Sequence, residues 1–188
     1  MLAGELYNAL DPELMGLRRK ARLLCHALNH SRDDEVERRA GILKELFGVE
    51  DKIPWLEPPF YCDYGVNIRL GERVFFNFNC VVLDVAEVII GDRALFASNV
   101  QLYTATHPLH PEERATGLEF AKPIRIGSGG GVGGGGGVFS RGRHRGGSLS
   151  AGGGAGGPGI PAHVVAVGNP CRVLRPITES DRMIPGVG

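Results

Sequence analysis

Tyr103-Thr104-Ala105-Thr106-His107-Pro108 sets a histidine between a β-rich run and a polar loop. A neutral imidazole can accept a proton at ordinary pH, because histidine titrates near pH 6.5. A well-placed general base contributes about 10²–10⁴-fold to a rate. The stretch from Tyr103 to Lys122 also carries His110, Glu112, Glu113, Arg114 and Glu119. Glu119 is the carboxylate expected to fix the tautomer of His107, and His110 reads as solvent-facing. No serine or cysteine with an adjacent base is evident, so proton transfer by His107 is expected rather than covalent catalysis. A long polar loop extruded from regular structure is usually functional.

The elements around that loop repeat. Ile90, Phe96 and Leu102 are spaced by six, as are Ile126, Val132 and Val138. Leu70-Gly71, Ile90-Gly91 and Ile126-Gly127 share an aliphatic-glycine pattern. A six-residue period with an aliphatic residue at one position reads as a parallel β-helix of hexapeptide repeats, three hexads to a coil. Each coil cannot bury its inward face alone, so the coils must stack. Leu70 and Ile90 are 20 apart rather than 18, so one corner carries an insertion. The fold class is mainly β, with an N-terminal α-helical hairpin and an extruded loop.

Residues 1–50 read as a helical cap. Asp11-Pro12-Glu13 supplies an N-cap, a first-turn proline and an acidic first turn. Leu17, Ala21, Leu24 and Leu28 follow at helical spacing, with Arg18, Arg19, Lys20 and Arg22 on the other side. A second helix, roughly 33–47, is expected to bury Val36, Ile42, Leu43 and Leu46 and to end at Gly48. Prolines make 51–60 an extended connector. The solenoid is expected over 61–177, with the loop at 103–123 and a short tail at 178–188.

Composition excludes several classes. The 21 basic and 21 acidic residues cancel, so nucleic-acid and acidic-membrane partners have no global electrostatic case. No apolar run approaches the roughly 20 residues of a membrane span. The N-terminus shows neither a basic nor an apolar segment of a signal peptide. Four cysteines lie far apart without a CxxC pair, which suits reduced thiols in the cytoplasm. A zinc site on Cys62, Cys80 and a histidine lacks paired ligand spacing, so no metal is expected.

Residues 128–159 depart from the pattern. Glycine dominates from Ser128 to Val138, and Arg141-Gly142-Arg143-His144-Arg145-Gly146 follows. No Gly-Lys-Ser/Thr completes a P-loop, and an RGG-type nucleic-acid segment lacks interleaved aromatics. The solenoid pattern enters at Ile126-Gly127 and leaves through 160–170. Two ordinary coils are therefore expected beneath these residues. Arg143-His144-Arg145-Gly146, encoded CGT-CAC-CGT-GGN, becomes Val-Thr-Val-Gly when read one base later.

With these residues in place, the chain resembles the maltose/galactoside O-acetyltransferases of the hexapeptide-repeat family. The resemblance rests on Ala3-Gly4-Glu5-Leu6-Tyr7, Asn29-His30-Ser31, Pro58-Pro59-Phe60-Tyr61-Cys62-Asp63-Tyr64-Gly65, Asn77-Phe78-Asn79, Leu83-Asp84-Val85, the His107 segment, Lys122-Pro123-Ile124 and Val167-Gly168-Asn169-Pro170. Cys62-Asp63-Tyr64-Gly65 and Thr104-Ala105-Thr106-His107-Pro108 look closer to the maltose branch. The resemblance implies a left-handed parallel β-helix, a homotrimer, and active sites between subunits. It implies acetyl-CoA as co-substrate, a sugar such as maltose or glucose as acceptor, and His107 as the catalytic histidine. Acceptor-pocket positions fall on Asp63, Asn77 and Asp84, and cofactor positions on Gly134, Gly152, Gly157, Pro158, Arg172 and Arg175.

The residue types also admit plainer roles. Asp63 and Asp84 can be turn residues that satisfy backbone N–H groups. Asn77 and Asn79 can be corner residues in the left-handed region. Two other functions stand beside the transferase. A metal-dependent hydratase needs three converging histidines, and His107, His110, His144 and His163 lack that spacing. A nucleic-acid module would rest on the Arg/Gly tract alone. Sequencing of the gene across 128–159 is expected to show a shifted reading frame; an in-frame glycine-coding tract would end that reading.

Overall fold

The computed structural model describes residues 1–140, 142–151, 154–155 and 159–184. The chain opens with a two-residue strand β1 (Tyr7–Asn8), then helices α1 (Pro12–Asn29) and α2 (Val36–Phe47). The Asp11 carboxylate caps α1 by accepting from Glu13 N and Leu14 N, and Pro12 opens its first turn. Gly48 closes α2 in the left-handed region at φ 63°, where a β-carbon would be strained.

Strands β2 (Trp55–Leu56), β3 (Phe60–Cys62), β4 (Ile68–Leu70), β5 (Phe75–Phe76), β6 (Cys80–Leu83), β7 (Val88–Ile90), β8 (Leu95–Phe96) and β9 (Gln101–Tyr103) form the first coils. The extruded loop contributes β10 (Ala105–Thr106), a short helix α3 (Pro111–Ala115) and β11 (Leu118–Ala121). The solenoid resumes with β12 (Ile124–Ile126), β13 (Gly131–Val132), β14 (Gly137–Phe139), β15 (Arg143–His144), β16 (Leu149–Ala151), β17 (Gly154–Ala155) and β18 (Val164–Val167), and β19 (Arg172–Pro176) turns back antiparallel on β18. The parallel pairings give three faces: β2-β5-β8-β13-β16-β18, β3-β6-β9-β14-β17 and β4-β7-β12-β15. This is the expected parallel β-helix, and β2 already belongs to it. The connector assigned to 51–60 therefore contains the first solenoid strand, because Trp55 and Leu56 pair with Phe75 and Phe76.

Inward-facing side chains build the core, and β3, β4, β6, β7 and β12 each bury two. Leu56, Phe76, Phe96 and Val132 stack on the first face, Cys62, Val82, Leu102 and Val138 on the second, and Leu70, Ile90 and Ile126 on the third. All are buried. Phe76 and Phe96 stack at 4.6 Å, and Phe60 and Phe47 continue the ring contacts edge-on into the cap. Burying one such side chain is worth about 1.5–3 kcal/mol.

Two helical expectations need correction. α1 buries Ala21, Cys25 and Leu28, while Leu17 is exposed. α2 buries Leu43, Leu46 and Phe47, while Val36 is exposed. The buried stripe of α1 is rotated toward β3, on which the helix docks, and α2 packs on α1. Asn29 fixes that docking: its side chain donates to Phe60 O at 3.0 Å and accepts from Phe60 N at 2.8 Å.

The described strands of the glycine-rich segment run as coils in register with the rest; Gly131 lies beside Leu95 and Gly137 beside Gln101. What changes is the core. On the third face His144 follows Ile126 inward, and on the first face Ser150 follows Val132. His144 Nε2 is buried without a hydrogen-bond partner among the described residues, and burial holds the imidazole below its usual pKa. An unpaired buried polar atom costs about 1–3 kcal/mol. His144→Val is expected to raise stability by about that amount. Since the folded chain disfavours the imidazolium, stability should also fall as pH drops below about 6.5, and less so in the variant. Chemical denaturation from pH 5 to 8 measures both; equal pH slopes in the two proteins would refute the assignment.

Candidate active site

The distinctive corner is the one between the second and third faces. Inward residues normally recur every six positions, as from Leu70 to Phe76 to Val82. At this corner Cys62 and Leu70 are eight apart, Val82 and Ile90 eight apart, and Leu102 and Ile126 far more. The widenings fall on successive coils, so they stack. The two smaller insertions carry Asp63 and Asp84, and the large one carries His107 and Glu119.

Backbone demand explains how the stack is held. Asp84 is 0% exposed. One carboxylate oxygen accepts from Asp63 N at 3.0 Å and Tyr64 N at 2.9 Å, the other from Asn67 N at 3.3 Å. The Asn67 amide donates to Asp84 O at 2.7 Å. Burial pushes this carboxyl up to about 6, against the pull of the backbone donors. One coil on, Thr104 Oγ1 donates to Leu83 O and accepts from Ala86 N. Asp84, assigned above to the acceptor pocket, thus lies beneath the site and shapes the Asp63–Asn67 turn. Its carboxylate is consumed by N–H groups that would otherwise be buried unpaired.

Over the widened corner lies an open cleft of about 910 Å³ between α1 and the solenoid. His107, Asp63 and Glu119 line it together. His107 follows β10 directly and is exposed. Burial raises the Asp63 carboxyl, opposed by Arg18 and Arg22. Glu119 Oε2 accepts from the Tyr7 hydroxyl at 2.7 Å.

Sequence reasoning missed the other wall. Arg18, Arg19, Arg22 and His26 of α1 line the cleft. Arg18 donates to Tyr64 Oη at 3.1 Å and to Ala9 O. The run Arg18-Arg19-Lys20-Arg22 was visible as the polar side of an amphipathic helix. Helical spacing says that this side is not core; it does not say that the side faces a histidine far along the chain.

The remaining site residues lie elsewhere in the chain. Asn77 follows β5 at the corner between the first and second faces, with its side chain turned onto Phe78 N. Asn79, two positions on, takes the left-handed conformation at φ 59°; Asn77 does not. Gly134 sits at the same corner two coils further, beside Ser98 O. Arg172 is exposed on β19, and the fork of Arg175 is held by Asp181 at 2.7 Å on both nitrogens. Gly152, Gly157 and Pro158 lie outside the described residues. Among the described residues, no three His, Cys, Asp or Glu side chains converge as a metal site. No helix there is long and apolar enough to cross a membrane.

A hexapeptide-repeat β-helix with a histidine-bearing loop and a helical cap defines an acyltransferase of the solenoid class, and comparison with known proteins makes it specific. Residues 1–49 match the maltose acetyltransferase hexapeptide capping motif. The chain is 38% identical over 181 residues to the galactoside O-acetyltransferase of Escherichia coli K12, covering 96% of this chain and 89% of that one. It superposes on the crystal structure of a maltose O-acetyltransferase from Clostridium difficile 630 with TM-score 0.89 and 38% identity, covering 95% of each chain. A hexapeptide-repeat acetyltransferase of Vibrio cholerae, solved in complex with acetyl-CoA, superposes with TM-score 0.83 and 32% identity, covering 95% of this chain and 97% of that one. The chain belongs to the maltose/galactoside O-acetyltransferase family and is an acetyl-CoA-dependent O-acetyltransferase.

Removing the Asp84 carboxylate leaves three backbone N–H groups without an acceptor. Asp84→Ala is expected to lose about 1–3 kcal/mol of stability and to slow acetyl transfer, because the turn bearing Asp63 is no longer fixed. Urea denaturation with a parallel activity assay decides; unchanged values in both would show that the turn needs no carboxylate.

Proposed function

We propose that this enzyme moves the acetyl group of acetyl-CoA to a hydroxyl of a maltose- or glucose-like sugar by direct transfer, with His107 as general base. The observation that carries the reading is His107 on the wall of the cleft that also holds Asp63 and Glu119. Acetyl-CoA supplies the activated thioester. The His107 imidazole takes the hydroxyl proton as the oxygen attacks the carbonyl carbon. As the C–S bond breaks, the same proton is returned to the leaving thiolate, so histidine ends as it began. Asp63 and Glu119 accept hydrogen bonds from the sugar or from the imidazole, and orientation of the two substrates supplies much of the rate.

The reading includes a homotrimer. Asn77 and Gly134 share one corner, and the His107 cleft occupies another. A site that uses both groups is completed by corners of neighbouring copies. Trp55, Leu95 and Leu149, at 69, 56 and 46% exposure, project from the first face and offer apolar surface for packing. The reading assigns cofactor contacts to Gly134 and Arg172, with an amide such as Asn77 facing the developing oxyanion. Four free thiols suit a reducing compartment, and we assign the enzyme to the cytoplasm.

Purified protein with acetyl-CoA and a panel of sugars is expected to release free CoA thiol. His107→Ala should lower that rate by about 10²–10⁴-fold while the assembly and acetyl-CoA binding persist. Full activity of the variant would remove His107 from the mechanism.

A further inference from the structure

We propose that Tyr7 is a positioning residue for acetyl transfer, acting through Glu119 on the loop that carries His107. The proposal rests on the reading of His107 as the base.

The N-terminal strand is built into the loop. β1 pairs antiparallel with β11, with Tyr7 opposite Glu119 and Asn8 opposite Leu118. β11 pairs in turn with β10, with Ala105 opposite Ala121 and Thr106 opposite Phe120. His107 is the next residue after β10. These three strands form a small sheet separate from the solenoid faces. Tyr7 is 8% exposed and packs with Tyr64, Val85, Ala86 and Ala121, a cluster apart from the main core. Val85, in the same insertion as Asp84, also lines the cleft.

The contact joins residues 112 positions apart, with the phenol donating to Glu119 Oε2 at 2.7 Å. Burial and the Glu119 charge push the phenol well above its usual pKa, so it remains a donor. One oxygen of Glu119 is thereby fixed. The other makes no hydrogen bond among the described residues, and the side chain lines the cleft beside His107 and Asp63. A glutamate on a surface strand samples several rotamers, and ordering it beforehand removes that cost from the reacting complex. Asp63 and Glu119 also repel one another, since the Glu119 charge contributes to the raised Asp63 carboxyl. A neutral donor on Glu119 lets the two carboxylates share one wall.

The test uses the full chain with acetyl-CoA and the best sugar of the panel. Tyr7→Phe keeps the buried ring and removes only the donor. Its kcat is expected to fall about ten-fold, with the KM for acetyl-CoA within about two-fold of the parent. Glu119→Gln should show a comparable loss. Combined with Glu119→Ala, Tyr7→Phe should slow the enzyme no further than Glu119→Ala alone, because the hydroxyl then has no acceptor to hold. A general packing role predicts instead that the losses multiply, and that outcome overturns the proposal. So does a Tyr7→Phe enzyme at full rate, or a Glu119→Gln enzyme without defect. An active His107→Ala variant would refute the underlying reading instead, whatever the Tyr7 variants show.

Discussion

The inward ladder allows no slack along a strand. Each strand places its inward side chains over those of the coil below, and a one-residue slip would turn them outward. Extra residues can leave the ladder only at corners. Here they leave at one corner on successive coils, after Cys62, after Val82 and after Leu102. Because coils stack, insertions far apart in sequence are superposed in space. Asp63, Asp84, Val85, His107 and Glu119 are neighbours for that reason.

Such a corner exposes backbone donors that no strand satisfies, and buried polar side chains fill the gap. Asp84 accepts three of them, and Thr104 bridges Leu83 and Ala86. These groups are polar and lie next to a cleft, yet their work is to shape its floor. The cap adds the facing wall. Asn29 and the Phe47–Phe60–Phe76 contacts lock the helices to the first coil, which turns the arginines of α1 toward Asp63. A basic helix face that would otherwise be ordinary solvent-exposed surface becomes part of the site's electrostatics.

The later coils show how much side-chain identity matters once the backbone path is set. Register persists in the described strands of the glycine-rich segment, since parallel pairing uses backbone groups that glycine also possesses. The interior does not keep its chemistry. A buried imidazole and a serine stand where earlier coils bury isoleucine, phenylalanine and valine, so the ladder loses apolar contacts and gains a buried nitrogen that no described residue pairs.

Much was legible in the sequence alone. The six-residue period determined the β-helix, because aliphatic and aromatic residues recur at the inward position of the earlier coils. The polar interruption after Leu102 marked the extruded loop, and the residues around His107 pointed to proton transfer. Asp11-Pro12 and Gly48 marked helix ends through local backbone chemistry. Which way α1 rolls, and so whether Arg18 and Arg22 face water or a histidine, was decided only by docking on β3. Whether Asp84 faces a ligand or a turn depended on three N–H groups that the chain brings together from 63–67. The pairing of Tyr7 with Glu119 was likewise invisible, because neither local spacing nor periodicity relates residues 112 positions apart. Periodicity is a property of the chain; contact between a loop, a helix face and an N-terminal strand exists only once the corner has been folded beneath them.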